Sequence, residues 1–325
     1  MKTKRPKIVF MGTPEFAVAS LKAMHESGIE IGAVVTAPDK PAGRGKKLTS
    51  PAVKNYAEAN LPCPVFQPEK LKDPAFIEEL KAIEADIFVV VAFRMLPEAV
   101  WGIPPLGTIN LHASLLPNYR GAAPINWAII NGEKESGVTT FVINHEIDTG
   151  RILLQEKVAI HSDDDAGDLH DRLMDTGSEL LVRTVKAMYN GEIESVDQEQ
   201  LTSTVTGLKS APKIFREDCR IDWNRDAVAI FNLIRGLSPF PAAFSMLDCN
   251  GEEEQPVKIF KVKPYADGPD LLPGSIRSDH QSYIRVGTGN GTIEILELQA
   301  PGKKRMAVPE FLRGYKSDLN NARFN

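Results

Sequence analysis

The sequence predicts an α/β fold in which a doubly wound, mostly parallel sheet is followed by a smaller β domain. Three observations carry this. Short, nearly continuous Val/Ile/Phe runs alternate with helical patterns up to residue 190. Runs without polar alternation fit strands buried on both faces, as a parallel sheet requires. A polar stretch rich in Glu, Thr and Ser then spans 191–210. Beyond it, strand-like pieces are punctuated by Pro and Gly at short intervals, the texture of a small barrel or sandwich.

In chain order, the apolar runs are residues 7–11, 31–36, 86–93, 107–112 and 138–144. After the first, Thr13-Pro14 reads as N-cap and first helical residue, and Gly28 closes that helix. Asp73-Pro74 opens a helix that runs to about residue 85. Residues 165–188 carry Leu169, Leu173, Leu180, Leu181 and Val185 at helical spacing. Alternating strands and helices imply right-handed crossovers. In the second half a helix over 225–236 precedes strands at 242–247, 257–265, 274–276, 283–286 and 292–299. Residues 1–190 therefore read as one domain, 191–210 as a linker and 211–325 as a second domain.

Composition excludes several classes. With 325 residues, 42% hydrophobic and 25% charged, wholesale disorder is ruled out. No apolar run approaches the roughly 18–20 residues of a bilayer span; the longest is 87–93. The basic start MKTKRPKIVF lacks an apolar core and a small-residue cleavage site, so no secretory signal is expected. Cys63, Cys219 and Cys249 are scattered and form no CxxC pair. The expectation is a cytoplasmic protein without a structural metal. Net charge is −5, unevenly spread: residues 1–207 hold 21 Lys+Arg against 28 Asp+Glu, and 208–325 hold 17 against 15. A mildly basic second half is a weak pointer to a polyanionic partner.

Four segments can carry chemistry. Gly12-Thr13-Pro14-Glu15-Phe16 follows the first strand, where a glycine turn and a helix N-terminus can hold an anion. It is not the GxGxxG fingerprint, which disfavours a dinucleotide-dependent dehydrogenase. Residues 40–47, KPAGRGKK, place four cations and two glycines in eight residues with no acid. Such an exposed loop can reach a phosphate backbone, and Arg44 can stack on a base.

The third segment, NLHASLLPNYRG at 110–121, is the strongest. Asn110 and His112 lie two apart, so on a strand their side chains share one face. At the C-terminal end of a parallel strand they would project into a ligand crevice. An amide donor can stabilise an oxyanion, and an imidazole moves protons near neutral pH. Fourth, Asp148 sits in the turn Asn144-His145-Glu146-Ile147-Asp148-Thr149-Gly150. There it can orient His112 and accept charge from an attacking amine, or simply cap backbone amides. His145 and Glu146 match no zinc spacing. No GxSxG elbow is present, and no cysteine neighbours a histidine in sequence. Asn, His and Asp without a protein nucleophile suit direct transfer between two bound substrates.

The ordered set MGTPEFA, PDKPAGRGKKLTSPAVKNYA, NLHASLLPNYRGAAPINWAI and the IDTG turn closely resembles the methionyl-tRNA formyltransferases, of the folate-dependent formyltransferase superfamily. The resemblance covers the whole chain, and the PAGRGKKL loop is what narrows it to enzymes acting on initiator tRNA. It implies a Rossmann-like first domain and an OB-like second domain. It also implies transfer of a formyl group from 10-formyltetrahydrofolate to the α-amine of methionyl initiator tRNA. Carried over by motif, Asn110, His112 and Asp148 form the catalytic trio. Ser114, Leu115, Leu116 and Pro117 form the folate loop, and Lys40, Arg44, Lys46 and Lys47 contact tRNA. No metal, membrane or obligate protein partner is implied.

The chain departs from the commoner pattern at Ala92-Phe93-Arg94-Met95-Leu96-Pro97, expected near the pterin, and in the His145 lead-in to the turn. A sugar-nucleotide formyltransferase shares the first-domain motifs, but the basic loop at 40–47 discriminates against it. A purine-pathway formyltransferase would be about a domain shorter. A formyltetrahydrofolate hydrolase would carry an additional regulatory domain. A catalytically dead RNA-binding protein on this fold would have no need of Asn110, His112 and Asp148 together.

Overall fold

Continuous β-branched runs become strands wherever both faces are covered, and the first sheet of the computed structural model is built from them. The structure describes residues 5–42, 47–202, 207–249, 254–266, 271–315 and 317–325. Its first sheet contains β1 (Lys7–Gly12), β2 (Glu30–Val35), β3 (Val65–Phe66), β4 (Ile87–Val91), β5 (Thr108–His112), β6 (Glu135–Val142) and β7 (Ile152–Ala159). The strand order is β7-β6-β5-β4-β1-β2-β3. The pairs β1–β2, β2–β3, β1–β4 and β4–β5 are parallel, while β5–β6 and β6–β7 are antiparallel. Every residue of β4 is buried. The order reverses between β1 and β4, and ligands of such sheets bind outside the carboxyl ends of strands near that switch.

The connecting helices follow local chemistry. α1 (Glu15–Glu26) begins one residue later than the sequence suggests: Pro14 is its N-cap, without a side-chain bond. Gly12 is required by packing, since a Cβ there would lie 2.6 Å from Ala17 Cβ and 3.1 Å from the Val91 carbonyl. α2 (Ala52–Asn60) follows. In α3 (Pro74–Ala82), Asp73 accepts a hydrogen bond from the Ala75 amide and Pro74 occupies the first turn, as Asp-Pro predicts. The 25-residue helix at Ala166–Asn190 buries Leu173, Leu180, Leu181 and Val185. It lies tight on the sheet at Gly177, where a Cβ would come 2.8 Å from Leu111 Cδ2.

Two compact units divide the chain. One comprises Met1–Gly121, Glu135–Ala159 and His170–Ser210; the other comprises Ala122–Lys134, Ile160–Leu169 and Ala211–Asn325. The second therefore draws on two segments that precede residue 170. Within it, the helix at Pro124–Ile130 packs on the helix at Ala227–Leu237, where a Cβ on Gly236 would meet Ile130 Cγ1 at 2.6 Å.

The second sheet holds β8 (Ala243–Asp248), β9 (Gln255–Tyr265), β10 (Ile276–Ser278), β11 (Ile284–Gly287), β12 (Thr292–Gln299) and β13 (Arg323–Phe324), in the order β10-β11-β12-β9-β8-β13. A bridge between Ser275 and Arg323 brings the two ends together, so the antiparallel sheet nearly closes into a barrel. Its interior holds Ile230, Ile234, Ala243, Ile259, Val286, Ile293 and Ile295, all at most 1% exposed. The α/β class, the Rossmann-like parallel core and the barrel-like second sheet follow the sequence expectation. The helix Gln198–Thr202, inside the polar stretch 191–210, does not.

Candidate active site

His112 ends β5, with its side chain 7% exposed. Its Nε2 lies 2.8 Å from the Tyr119 carbonyl oxygen. A carbonyl only accepts, so Nε2 carries a hydrogen and the neutral ring presents an Nδ1 lone pair. That Nδ1 is 3.7 Å from Asp148 Oδ2. The ring is thus fixed by a backbone carbonyl, while the carboxylate faces it across a gap longer than a hydrogen bond. Two acceptors facing each other leave a position suited to a proton or an incoming N–H.

Asp148 is itself anchored. Its Oδ2 accepts from the Gly121 amide at 2.9 Å, so the carboxylate caps a backbone group 27 residues away in sequence as well as facing His112. Asp148 has φ +55° and Tyr119 φ +59°. Left-handed backbone costs a non-glycine residue about 1–2 kcal/mol, and strain of this kind persists only where neighbours hold it. Both strained residues present an oxygen to His112. Gly150 closes the turn: a Cβ there would lie 1.7 Å from the Val142 carbonyl oxygen. Asn144 Oδ1 accepts from the Glu146 amide and the Thr149 hydroxyl, both at 3.1 Å, giving the turn its internal frame.

Asn110 lies two residues before His112 on β5, half-buried and in register with Phe141 and Val90. Strand alternation puts its amide on the face of the His112 ring. The loop expected to hold folate is packed inward. Ser114 is fully buried, with its hydroxyl donating to the Asn118 carbonyl at 2.7 Å. Leu116 is 2% exposed, and its amide donates to Thr139 Oγ1 at 3.1 Å. Gln155 Nε2 donates to the Leu116 carbonyl at 2.9 Å. Leu115 fills the space over Gly137, and Pro117 is buried. This loop offers shape and backbone rather than polar side chains. Residues 94–97 border a cavity of about 810 Å³ whose lining also includes Leu71, Lys72, Ile77 and Glu98.

The basic segment is a hairpin. Lys40–Ala42 pairs antiparallel with Lys47–Thr49. Lys40 is exposed. Arg44 and Lys46 lie outside the described residues, and Lys47 is described by its backbone alone. At the base of the hairpin Lys54 Nζ donates to Asp39 Oδ2 at 2.8 Å, and Gln67 Nε2 to Asp39 Oδ1 at 2.7 Å. The Lys54 ammonium holds the Asp39 carboxyl below its ordinary range. His145 stands apart from His112's partners: it is 70% exposed, 3.7 Å from Glu98 and edge-on to Trp101.

Gln198 is the residue that sequence reasoning missed. It is 1% exposed. Its Nε2 donates to the carbonyls of Asp148 at 3.0 Å and Gly150 at 2.7 Å. Its Oε1 accepts from Arg120 Nη2 at 2.6 Å and Nε at 3.1 Å. One amide from the polar stretch thus clamps both the strained Asp148 turn and the arginine beside Gly121. No motif marks it; only its position in the fold does. Gln198→Ala strands the buried Gly150 carbonyl and the part-buried Asp148 carbonyl, so we expect a loss of about 1–3 kcal/mol in urea unfolding, with a lower kcat. Wild-type stability in that variant would remove Gln198 from this role.

Among the described residues, no group of three or more His, Cys, Asp or Glu is placed to hold a metal, and no helix is long and apolar enough to cross a membrane.

Known proteins align with both units. A sequence model of the formyl transferase family matches residues 6–185, and a model of the formyl transferase C-terminal domain matches residues 213–316. A methionyl-tRNA formyltransferase of Parabacteroides distasonis is 49% identical over 317 residues, 97% of this chain and 98% of the relative. That of Phocaeicola vulgatus is 51% identical over 322 residues, 99% of each. An N-formyltransferase from Helicobacter canadensis, solved in complex with folinic acid and dTDP-3-aminofucose, superposes with a TM-score of 0.65 at 21% identity. It covers 93% of this chain and 100% of that one. With matches of this length running through both sheets, the chain belongs to the formyl transferase family.

Proposed function

We propose that this chain transfers the formyl group of 10-formyltetrahydrofolate to the α-amino group of methionyl initiator tRNA, in the cytoplasm. One observation carries the reading. Relatives named methionyl-tRNA formyltransferase share about half its residues over essentially their full length, second unit included. The sugar-nucleotide alternative is not favoured, since the solved sugar-linked relative is 21% identical. A dead RNA-binding scaffold would leave unexplained two strained residues aimed at one histidine.

The residues present fit a folate. A cavity of about 810 Å³, whose apolar side chains stand beside the charged Lys72, Arg94 and Glu98, suits a flat heteroaromatic ring with polar edges, and its size is usual for small-molecule sites. The segments at 92–97 and 114–117 would hold it, the second through backbone and shape. The folate supplies an activated formyl carbon. Asn110 donates its amide to the carbonyl oxygen as negative charge develops there. The gap between His112 Nδ1 and Asp148 Oδ2 receives the amine N–H groups. As the amine becomes cationic, Asp148 balances its charge and His112 takes a proton at Nδ1, with Nε2 still held by the Tyr119 carbonyl; His112 then gives that proton to the folate nitrogen as the bond between that nitrogen and the formyl carbon breaks.

We assign residues 1–190 to catalysis, 191–210 to the linker and 211–325 to an OB-like domain that supports tRNA through its phosphates. Lys40, Arg44, Lys46 and Lys47 would grip the acceptor stem. Arg44→Ala should weaken tRNA-dependent catalysis and reduce its salt slope by about 1 while folate binding stays intact. Unchanged tRNA kinetics would make the hairpin an ordinary solvated loop. The decisive assay compares charged initiator tRNA with a dTDP-amino sugar as acceptors. Formylation of the tRNA alone is expected, and formylation of the sugar alone would overturn the assignment.

A further inference from the structure

The second unit holds a cavity of about 810 Å³ that the reading above leaves unused. Its walls include Phe215, Phe240 and Phe244 together with Arg216 and Lys258. Phe240 is 81% exposed and Phe215 58%. Two large rings therefore face solvent where folding alone would bury them, and grouped exposed aromatics mark interaction sites. The turn that carries Phe240 is held firmly. Ala242, two residues on, has φ +75°, and its amide donates to the Leu237 carbonyl at 2.8 Å. Strained backbone of this kind belongs to positions the surrounding structure over-determines.

Cations accompany the rings. The Arg216 guanidinium lies 5.7 Å from the Phe244 ring centroid, and the Lys213 ammonium lies 5.4 Å from that of Phe215. Among the described residues lining the cavity, the charged side chains are Arg216 and Lys258, and none is a carboxylate. An apolar peptide would fit the rings and leave both cations unmatched. An unpaired nucleotide satisfies both: a base stacks on an aromatic face, and its phosphate pairs with Lys or Arg.

We propose that this cavity takes one unstacked base of the RNA acceptor, with the ring on Phe240 and the adjoining phosphate on Arg216 and Lys258. It rests on the reading that the acceptor is a tRNA. The test is the affinity of the full-length protein for 5′-labelled, deacylated initiator tRNA, followed by fluorescence anisotropy over a salt series. Phe240→Ala and Phe240→Leu should each raise Kd on the order of 5- to 100-fold, the equivalent of one lost base–aromatic stack. Phe240→Trp should bind as the wild type does. Lys258→Ala should reduce the salt slope by about 1. Because Phe240 is exposed, melting temperatures should not move. An unchanged Kd in Phe240→Ala, or wild-type binding by Phe240→Leu, would overturn the proposal, the latter by showing apolar contact without stacking.

Formylation assays on the same variants separate the two readings. A wild type that binds tRNA through Phe240 yet formylates no charged initiator tRNA overturns the functional reading and supports the cavity. A wild type that formylates while Phe240→Ala binds normally overturns the cavity alone.

Discussion

Asn110→Ala is expected to lower kcat for formyl transfer on the order of 10²–10³-fold, with KM for tRNA and folate nearly unchanged. The split follows from where the amide acts. A carbonyl oxygen accepts a modest hydrogen bond in the ground state and a far stronger one as it becomes an oxyanion, so the lost donor is felt mainly at the transition state. The fold should tolerate the change. Asn110 is half-buried, and its backbone stays paired with Phe141 and Val90 in β5. Steady-state kinetics beside a thermal melt would check both halves. A kcat within a few-fold of wild type would place the oxyanion donor elsewhere.

The parallel strands were readable because burial on both faces leaves a run no polar positions; β4, IFVVV, is the extreme case. The second edge of that sheet was not. β7, ILLQEKVA, alternates between buried and solvent-facing positions after its first two residues, so its apolar content falls below what a run search detects. The excursions at Ala122–Lys134 and Ile160–Leu169 into the second unit were also invisible, since nothing local separates a helix that packs on one unit from one that packs on another. The same limit hid Gln198. Composition marks 191–210 as polar, and polar usually means solvated. A glutamine whose four hydrogen bonds are met by Asp148, Gly150 and Arg120 can be buried all the same.

Within the site, motif spacing placed Asn110 and His112 on one strand face. It did not place the partner of His112 Nε2. Asp148 was the natural candidate to orient the ring, yet the Tyr119 carbonyl makes that contact. The reason is backbone conformation: the left-handed φ at Tyr119 accompanies a carbonyl turned back toward β5, and left-handed conformations at tyrosine carry no sequence signal. With the ring already held, the carboxylate is left for the substrate.

That division of labour makes Asp148→Asn the most informative single change, with an expected fall in kcat of about 10²–10⁴-fold. Asparagine has nearly the same volume, tolerates the φ of +55° as well as aspartate does, and keeps an oxygen for the Gly121 amide at 2.9 Å. The turn, the Gln198 clamp and the Tyr119 contact should therefore survive, and urea unfolding should match the wild type closely. One thing changes. The oxygen that accepts from Gly121 is also the one that faces His112 Nδ1, so it stays in place, while the negative charge that balances a forming ammonium disappears. Were Asp148 only a backbone cap, the same variant would retain its capping bond and its activity together. A stable Asp148→Asn protein with near-normal kcat would thus strip the carboxylate of any part in the chemistry, whereas a stable and nearly inactive one separates charge from scaffold.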